Sequence, residues 1–269
     1  LIGIGMASAA RGNILHEAKA RVVLHSDATI TVETDMTDIG TGTYTILAQI
    51  AGEMLGLSLD RIEVKLGDTD FPPAAGSGGS WGAGSTGSAV FLACQKLRSE
   101  IVHHELAQLL TRDLSAEGHI EPGSTSDEVE QATFGAHFAE VAVSVVTGET
   151  RVRRMLGVFS AGRILNMQTA LSQCHGGMSF GIGSALTEEL VHDVRDGHIV
   201  NHNLAEYHVP VFLEERDSWA NPMQSKGVGE LGISGAGAAI TNAIFNATGV
   251  RVRDYPATLD KVLKDLPDI

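Results

Sequence analysis

Polar and apolar residues alternate along Arg21 to Leu24 and again along Ala28 to Thr34, where Ile30 and Val32 share one face, and Ser26-Asp27 between the runs supplies a turn. Alternation of period two belongs to half-buried strands, so the pattern predicts a β-hairpin. Beyond the loop D-I-G-T-G-T at Asp38 to Thr43 the period lengthens, and Ile46, Leu47, Ile50, Ala51, Met54 and Leu55 mark one face of a helix that Gly56 ends. Arg61 to Leu66 reads as a further strand. The stretch Gly76 to Gly87, written G-S-G-G-S-W-G-A-G-S-T-G, then leads into an apolar helical pattern from Ala89 to about Leu110. A flexible low-complexity linker is the alternative reading on composition alone. Trp81 at its centre and the helix that follows at once argue instead for backbone that approaches a ligand.

Thr111 to Gln131 is polar, contains Pro122-Gly123 and reads as a surface connection. Phe138 to Val146, the turn Thr147-Gly148, and Thr150 to Phe159 form a second hairpin pattern, followed by the loop A-G-R-I-L-N and a small-residue helix from about Thr169 to Leu190. The order strand, strand, loop, helix therefore recurs without residue-by-residue identity. The expectation is an α+β fold of two similar lobes, residues 1–130 and 131–269, each with β-hairpins packed on helices. Val194 to Val200 is hairpin-like, an irregular region runs to Pro222, and a Gly/Ala-rich helix spans about Ser234 to Ala247. Tyr255-Pro256 is read as the end of regular structure.

The formal net charge of −14 excludes a nucleic-acid backbone as partner, because that binding needs clustered Lys and Arg. An anionic ligand must then be held by local devices such as backbone N–H groups and a few placed cations. No apolar run reaches the roughly 18 residues of a membrane span. Cys94 and Cys174 lie far apart and in no ligand spacing, so an iron-sulfur cluster is not expected within this chain. His192, His198, His202 and His208 match no tetrahedral metal spacing. The opening G-I-G-M-A-S has no strand before it and is not read as a dinucleotide fingerprint. Without an initiator Met or a signal segment, the chain reads as a piece of a longer polypeptide.

The most informative segment is Lys226-Gly227-Val228-Gly229-Glu230, followed by L-G-I-S-G-A-G. Glycines on both sides of one apolar residue let main chain pass close to a bulky ligand while the carboxylate projects beside it; the alternative is a surface Lys/Glu pair next to a turn. Together with T-D-I-G-T-G-T-Y-T-I-L-A-Q, the loop through Trp81, F-G-A-H-F-A-E-V, A-G-R-I-L-N, Gln173 with Gly176-Gly177, and N-A-T-G-V-R-V-R-D-Y-P, this segment resembles the molybdenum-binding subunits of the xanthine dehydrogenase and aldehyde oxidase family. The resemblance covers nearly the whole chain and is strongest to bacterial aldehyde oxidoreductases with a separate large subunit.

The resemblance implies the fold of the family's molybdopterin-binding domain and a bound molybdopterin cytosine dinucleotide. It implies that Glu230 is the catalytic base in a partly desolvated pocket and that Lys226, Gly227, Val228 and Gly229 touch the cofactor by main chain. Gly40, Thr41 and Gly42 would make one phosphate or pterin contact, and Ala83 and Gly84 another. Arg163, Ile164, Leu165, Asn166, Met167, Gln168 and Thr169 would cradle the dinucleotide tail, Arg163 offsetting phosphate charge, and Gln173 would hydrogen-bond the pterin. Thr41 stands where many relatives carry Gln, and Met167 where many carry Pro. The stretches near 113–131 and 210–220 look shorter than in relatives. The implied partners are an iron-sulfur subunit, an FAD subunit and the N-terminal half of the molybdenum subunit; the implied substrate is a small aldehyde or N-heterocycle, and the implied location is the cytoplasm, with export alongside a partner as the alternative. Two further readings stay open at this point: a non-catalytic module that assembles with partners, and a generic nucleotide-binding protein.

Overall fold

The computed structural model describes residues 1–103, 111–123, 128–210 and 226–266. In chain order these contain β1 (Ile2–Gly12), β2 (Ala18–Leu24), β3 (Ile30–Thr34), α1 (Thr43–Leu55), β4 (Ile62–Leu66), α2 (Gly82–Val102), β5 (Leu114–Ile120), β6 (Ala132–Val143), β7 (Thr150–Ser160), α3 (Met167–Leu186), α4 (Ala236–Thr248) and α5 (Leu259–Leu263). The fold is α+β. One sheet has the order β4-β3-β2-β5 and the other β1-β6-β7.

Each sheet buries one face against helices. In the first, Val22, Ile30 and Val32 meet Leu47 of α1 and Val90 and Leu97 of α2, all essentially inaccessible. In the second, Val141 and Val143 meet Ile240 and Ile244 of α4. Burial of such side chains stabilises by about 1.5–3 kcal/mol each. Both lobes use the same device for close approach. A Cβ on Gly118 of β5 would stand 1.9 Å from the carbonyl of Ala89, beside Ala93 of α2, and a Cβ on Gly5 of β1 would stand 2.2 Å from the carbonyl of Ala239 and from the nitrogen of Ala243 in α4. A strand glycine thus seats an i, i+4 pair of alanines in each lobe, which is the physical content of the architectural repeat.

The structure corrects the sequence reading at four places. Residues 2–12 form a strand, and it joins β6 of the second sheet, so a division at residue 130 separates β1 from the sheet it belongs to. Its other edge is closed by α4: Asn246 Oδ1 accepts from the N–H of Ile4, and Asn242 Nδ2 donates to the carbonyl of Met6. Residues 114–120 are a strand rather than a surface connection, because Leu114, Ala116 and Gly118 form a buried face against α2. Helix α2 starts at Gly82, within the glycine-rich stretch. The short α5 follows Tyr255-Pro256, with Val262 buried under it. The irregular region read up to Pro222 lies partly outside the described residues. No helix among the described residues is long and apolar enough to cross a membrane.

Candidate active site

The glycine-rich stretch is ordered by its own tryptophan. Trp81 lies so close over Gly78 and Gly79 that a Cβ there would stand 2.8 and 2.1 Å from the ring. His16 meets the ring edge-on at 4.4 Å, and the indole N–H donates to Ala75. This folding back presents Ser77, Gly78, Gly79 and Ser80 to the K-G-V-G-E loop. A Cβ on Gly227 would stand 2.5 Å from the Ser80 carbonyl oxygen, and one on Gly229 would stand 2.9 Å from Ser80 Oγ. Two backbones meet where side chains cannot fit, as the glycine spacing of both segments demands.

Beside this contact lies a cavity of about 250 Å³. Its lining includes Thr41, Ala83, Arg163, Ile164, Leu165, Asn166, Thr169, Gln173, Lys226, Gly227, Val228, Gly229 and Glu230, so most of the residues singled out in the sequence converge. Gly40, Gly42, Met167 and Gln168 do not line it, and Gly84 lines only a second, wider groove of about 1350 Å³. That groove shares Ala83, Arg163 and Leu165 with the cavity, and together the two make one elongated cleft.

Helix α1 ties the parts of the cleft together. Gln49 and Glu53, four residues apart on its surface, bind Asn166 at 3.2 Å and Arg163 at 2.6 Å. Asn166 in turn caps α3, accepting from the N–H of Thr169 at 3.0 Å. Arg163 therefore already carries a carboxylate partner, which revises its expected role as a free counter-charge for phosphate. The Gly40–Gly42 loop needs a similar revision. Asp38 Oδ1 accepts the N–H groups of Gly40, Thr41 and Gly42, and Oδ2 accepts that of Tyr44. Partial burial opposes ionisation of Asp38, but these donors together outweigh it and hold the carboxyl below its usual range. The amides expected to meet phosphate are engaged by an anion within the protein.

Glu230 sits on the cavity wall and forms an ion pair with Arg11 of β1, whose side chain is largely buried. Ser80 Oγ accepts from the Glu230 N–H at 3.1 Å and donates to Oε2 at 3.5 Å. The Glu230 side chain is 53% exposed, so it stands at the solvent side of the cavity and not on a desolvated floor. The reason is geometric: Arg11 and Ser80 both approach Oε2 and cover only one side. Leu231, next in sequence, is fully buried with Ala9 and Ala161 and anchors the loop from beneath.

Arg11, Asp38 and Ser80 escaped the sequence reading. Arg11 lies on an unrecognised strand, and only the glycines around Ser80, whose own φ is +56°, hinted at its turn. The site nonetheless combines apolar walls with polar groups and a helix start that could meet a ligand. Its walls are apolar at Met36, Ile39, Ile46 and Val228, its polar groups Thr41, Ser77, Thr169 and Gln173 face the same space, and α2 turns its uncapped first residues, Gly82 and Ala83, into it.

A family model described as the molybdopterin cofactor-binding domain matches residues 1–215. The chain is 51% identical over 302 aligned positions to the aldehyde oxidoreductase molybdenum-binding subunit PaoC of Escherichia coli strain K12, an alignment covering 100% of this chain and 41% of that protein. It is 31% identical to the putative xanthine dehydrogenase molybdenum-binding subunit XdhA of the same organism, over 92% of this chain and 39% of that one. The crystal structure of the aldehyde oxidoreductase from Desulfovibrio desulfuricans superimposes with a TM-score of 0.81 at 27% identity, covering 99% of this chain and 32% of the other. The chain thus spans about two fifths of the length of the first of these relatives. With the family model matching four fifths of its length and the fold agreeing throughout, the chain belongs to the molybdopterin cofactor-binding domain family of the aldehyde oxidoreductases and xanthine dehydrogenases.

Proposed function

We propose that this chain is the cofactor-binding part of a molybdenum hydroxylase and that Glu230 is its catalytic base. The observation that carries the reading is the convergence of Thr41, Ala83, residues 163–166, Thr169, Gln173 and residues 226–230, distant in sequence, on one cavity wall that includes a carboxylate. Ser77 to Ser80, Gly82, Ala83 and Gly227 to Gly229 hold the molybdopterin by main chain, Gln173 hydrogen-bonds it, and the 163–169 loop and the wider groove take the nucleotide tail, assigned as cytosine dinucleotide. When bound, the cofactor supplies two-electron oxidation of an electrophilic carbon with water as the oxygen source.

The chain's own residues manage the proton. Arg11 and Ser80 both engage Oε2 of Glu230, which leaves Oε1 as the oxygen that would accept a proton from the attacking hydroxyl. The substrate class is an aldehyde or N-heterocycle, and electrons leave to an iron-sulfur subunit and from there to an FAD subunit. The complete enzyme works in the cytoplasm or, alternatively, after export with a partner; cell fractionation decides which. Glu230→Gln keeps an oxygen for Arg11 but cannot take the proton. In the complete enzyme it is expected to abolish turnover with molybdenum and pterin content unchanged, and near-normal turnover would refute the assignment.

A second reading, that the polypeptide by itself is an assembly module without a working site, is favoured by the solvent exposure of Glu230. Stoichiometric molybdenum and pterin in the purified chain would exclude it.

A further inference from the structure

His137 is fully buried on β6, and nothing in the proposed chemistry uses it. Its surroundings are built to hold one imidazole in one orientation. In register across the sheet, His137 is flanked by two small residues, Ala7 of β1 and Gly157 of β7, which leave room for the imidazole. Phe159 lies over Gly135 and Gly157, where a Cβ would stand 2.6 and 2.4 Å from its ring. Its ring meets the imidazole at 5.0 Å with an interplanar angle of 65°. Gly235 closes the other side, since a Cβ there would stand 2.7 Å from Nδ1.

Nε2 lies 2.7 Å from the carbonyl oxygen of Gly232, two residues beyond Glu230. A carbonyl only accepts, so Nε2 carries the proton. Nδ1 is buried and has no hydrogen-bond partner among the described residues, which makes the ring the neutral Nε2–H tautomer. Burial acts in the same direction, holding the imidazole below its ordinary pKa against the opposing effect of the Gly232 carbonyl.

Among the described residues, the hydrogen bonds that tie the loop to other segments otherwise fall at or before Glu230. The Lys226 N–H donates to Ala161, the Gly227 N–H to Asn13, and the Glu230 N–H to Ser80. On the far side, Gly232 is wedged against α3, where its Cβ would stand 2.6 Å from the Cys174 carbonyl oxygen. Arg11 and His137 sit on the same face of the β1-β6-β7 sheet, at positions paired with Thr133 and Ala7 respectively. That face thus grips the loop twice, once at the carboxylate and once at the carbonyl behind it.

We propose that His137 is a positioning residue for the reaction: as the neutral Nε2–H tautomer it fixes the C-terminal side of the Glu230 loop, and through it the direction of the carboxylate. This rests on Glu230 being the base. The test uses the complete enzyme with three substitutions. His137→Gln carries an amide N–H to nearly the place of Nε2, His137→Asn carries one too short to reach Gly232, and His137→Phe fills the volume without a donor.

The expected result is a fall in kcat of roughly 10- to 100-fold in the Asn and Phe variants, with KM, molybdenum content and pterin content near wild type, and recovery of most of kcat in the Gln variant. A crystal structure of the Asn variant should show the Glu230 carboxylate displaced. Equal kcat in the Gln and Asn variants overturns the proposal, as does a loss confined to KM or to cofactor content. If the Phe variant does not assemble, the Gln and Asn pair still decides. Glu230→Gln is measured in parallel: if it is inactive while the His137 variants are unaffected, this inference alone fails, and if it is active, the assignment of the base fails first.

Discussion

The loop D-I-G-T-G-T has the glycines of an anion site and already encloses an anion. Asp38 accepts the N–H groups of Gly40, Thr41 and Gly42 at 2.8, 3.0 and 3.4 Å and that of Tyr44 at 3.3 Å, directly ahead of α1. Asp38→Ala leaves these donors to water. Counting about 1 kcal/mol for each short bond to the carboxylate and little for the long ones, with partial exposure limiting all of them, the loss is about 2 kcal/mol, at the upper end of helix-cap effects. Asp38→Asn keeps one acceptor oxygen and costs about half of that. Because the folded carboxyl titrates below its ordinary range, its contribution is complete above the unfolded value near pH 4 and fades as pH falls through the lower folded value. The penalty for Asp38→Ala is therefore constant from about pH 5 upward and shrinks in acid. Hydrogen exchange read by mass spectrometry should show protection lost around residues 39–45, and thermal melting at neutral pH should fall by roughly 4–8 °C. Unchanged melting together with higher molybdenum content would refute the reasoning, since it would mean that these amides face the cofactor and Asp38 merely repels it.

Other substitutions separate close packing from backbone strain and site from scaffold. Gly5→Ala places a Cβ 2.2 Å from α4 backbone atoms and is expected to cost about 3 kcal/mol in chemical denaturation, whereas Gly56→Ala, at φ +70° with nothing nearby, should cost only about 1 kcal/mol; equal costs would contradict the packing argument. Gly227→Ala drives the K-G-V-G-E loop from Ser80, and pterin released on denaturation should fall several-fold with the fold intact by circular dichroism; full pterin content would show that this contact does not shape the site. His137 is buried with a lowered pKa, so the unfolded state binds the extra proton first: stability should decline as pH drops below about 6.5, by at most about 1.4 kcal/mol per pH unit from this group. His137→Gln should flatten that part of the stability profile, and an unchanged slope would place the acid sensitivity elsewhere.

What the sequence reveals and what it hides follow one physical division. Hairpins, helix α1 with its Gly56 cap, and the loops at 163–169 and 226–230 are legible because period, turn residues and glycine spacing are local signals. β1 is hidden because its inward positions, Gly3, Gly5, Ala7 and Ala9, are small residues that let α4 approach, while its large apolar residues, Ile2, Ile4 and Met6, lie on the exposed face. β5 is hidden for the same reason, since Ala116 and Gly118 look like loop composition until α2 lies across them. In the site, motif spacing identifies the segments that converge, but hydrogen-bond partners across more than a hundred residues, such as Arg11 with Glu230 or Glu53 with Arg163, leave no local trace.

Those long-range pairs bear on how an acidic protein accepts an anionic cofactor. With a net charge of −14 the overall field opposes binding, and the two arginines at the cleft are already paired with carboxylates. Arg11 is paired with Glu230, Arg163 with Glu53, and the Lys226 ammonium donates to the carbonyl of Ala132 at 3.1 Å. Their work is to lock loops: Arg11 holds the Glu230 carboxylate, Arg163 ties the 163–169 loop to α1, and Lys226 anchors its own loop to β6. Backbone N–H groups are the other local means of attracting an anion, and among them the uncapped start of α2 at Gly82 and Ala83 borders the cavity while the start of α1 is closed by Asp38. The two glycine-rich loops that look alike in sequence therefore do opposite things. In one the amides close on Asp38, and the other brings the uncapped first residues of α2 to the cavity wall.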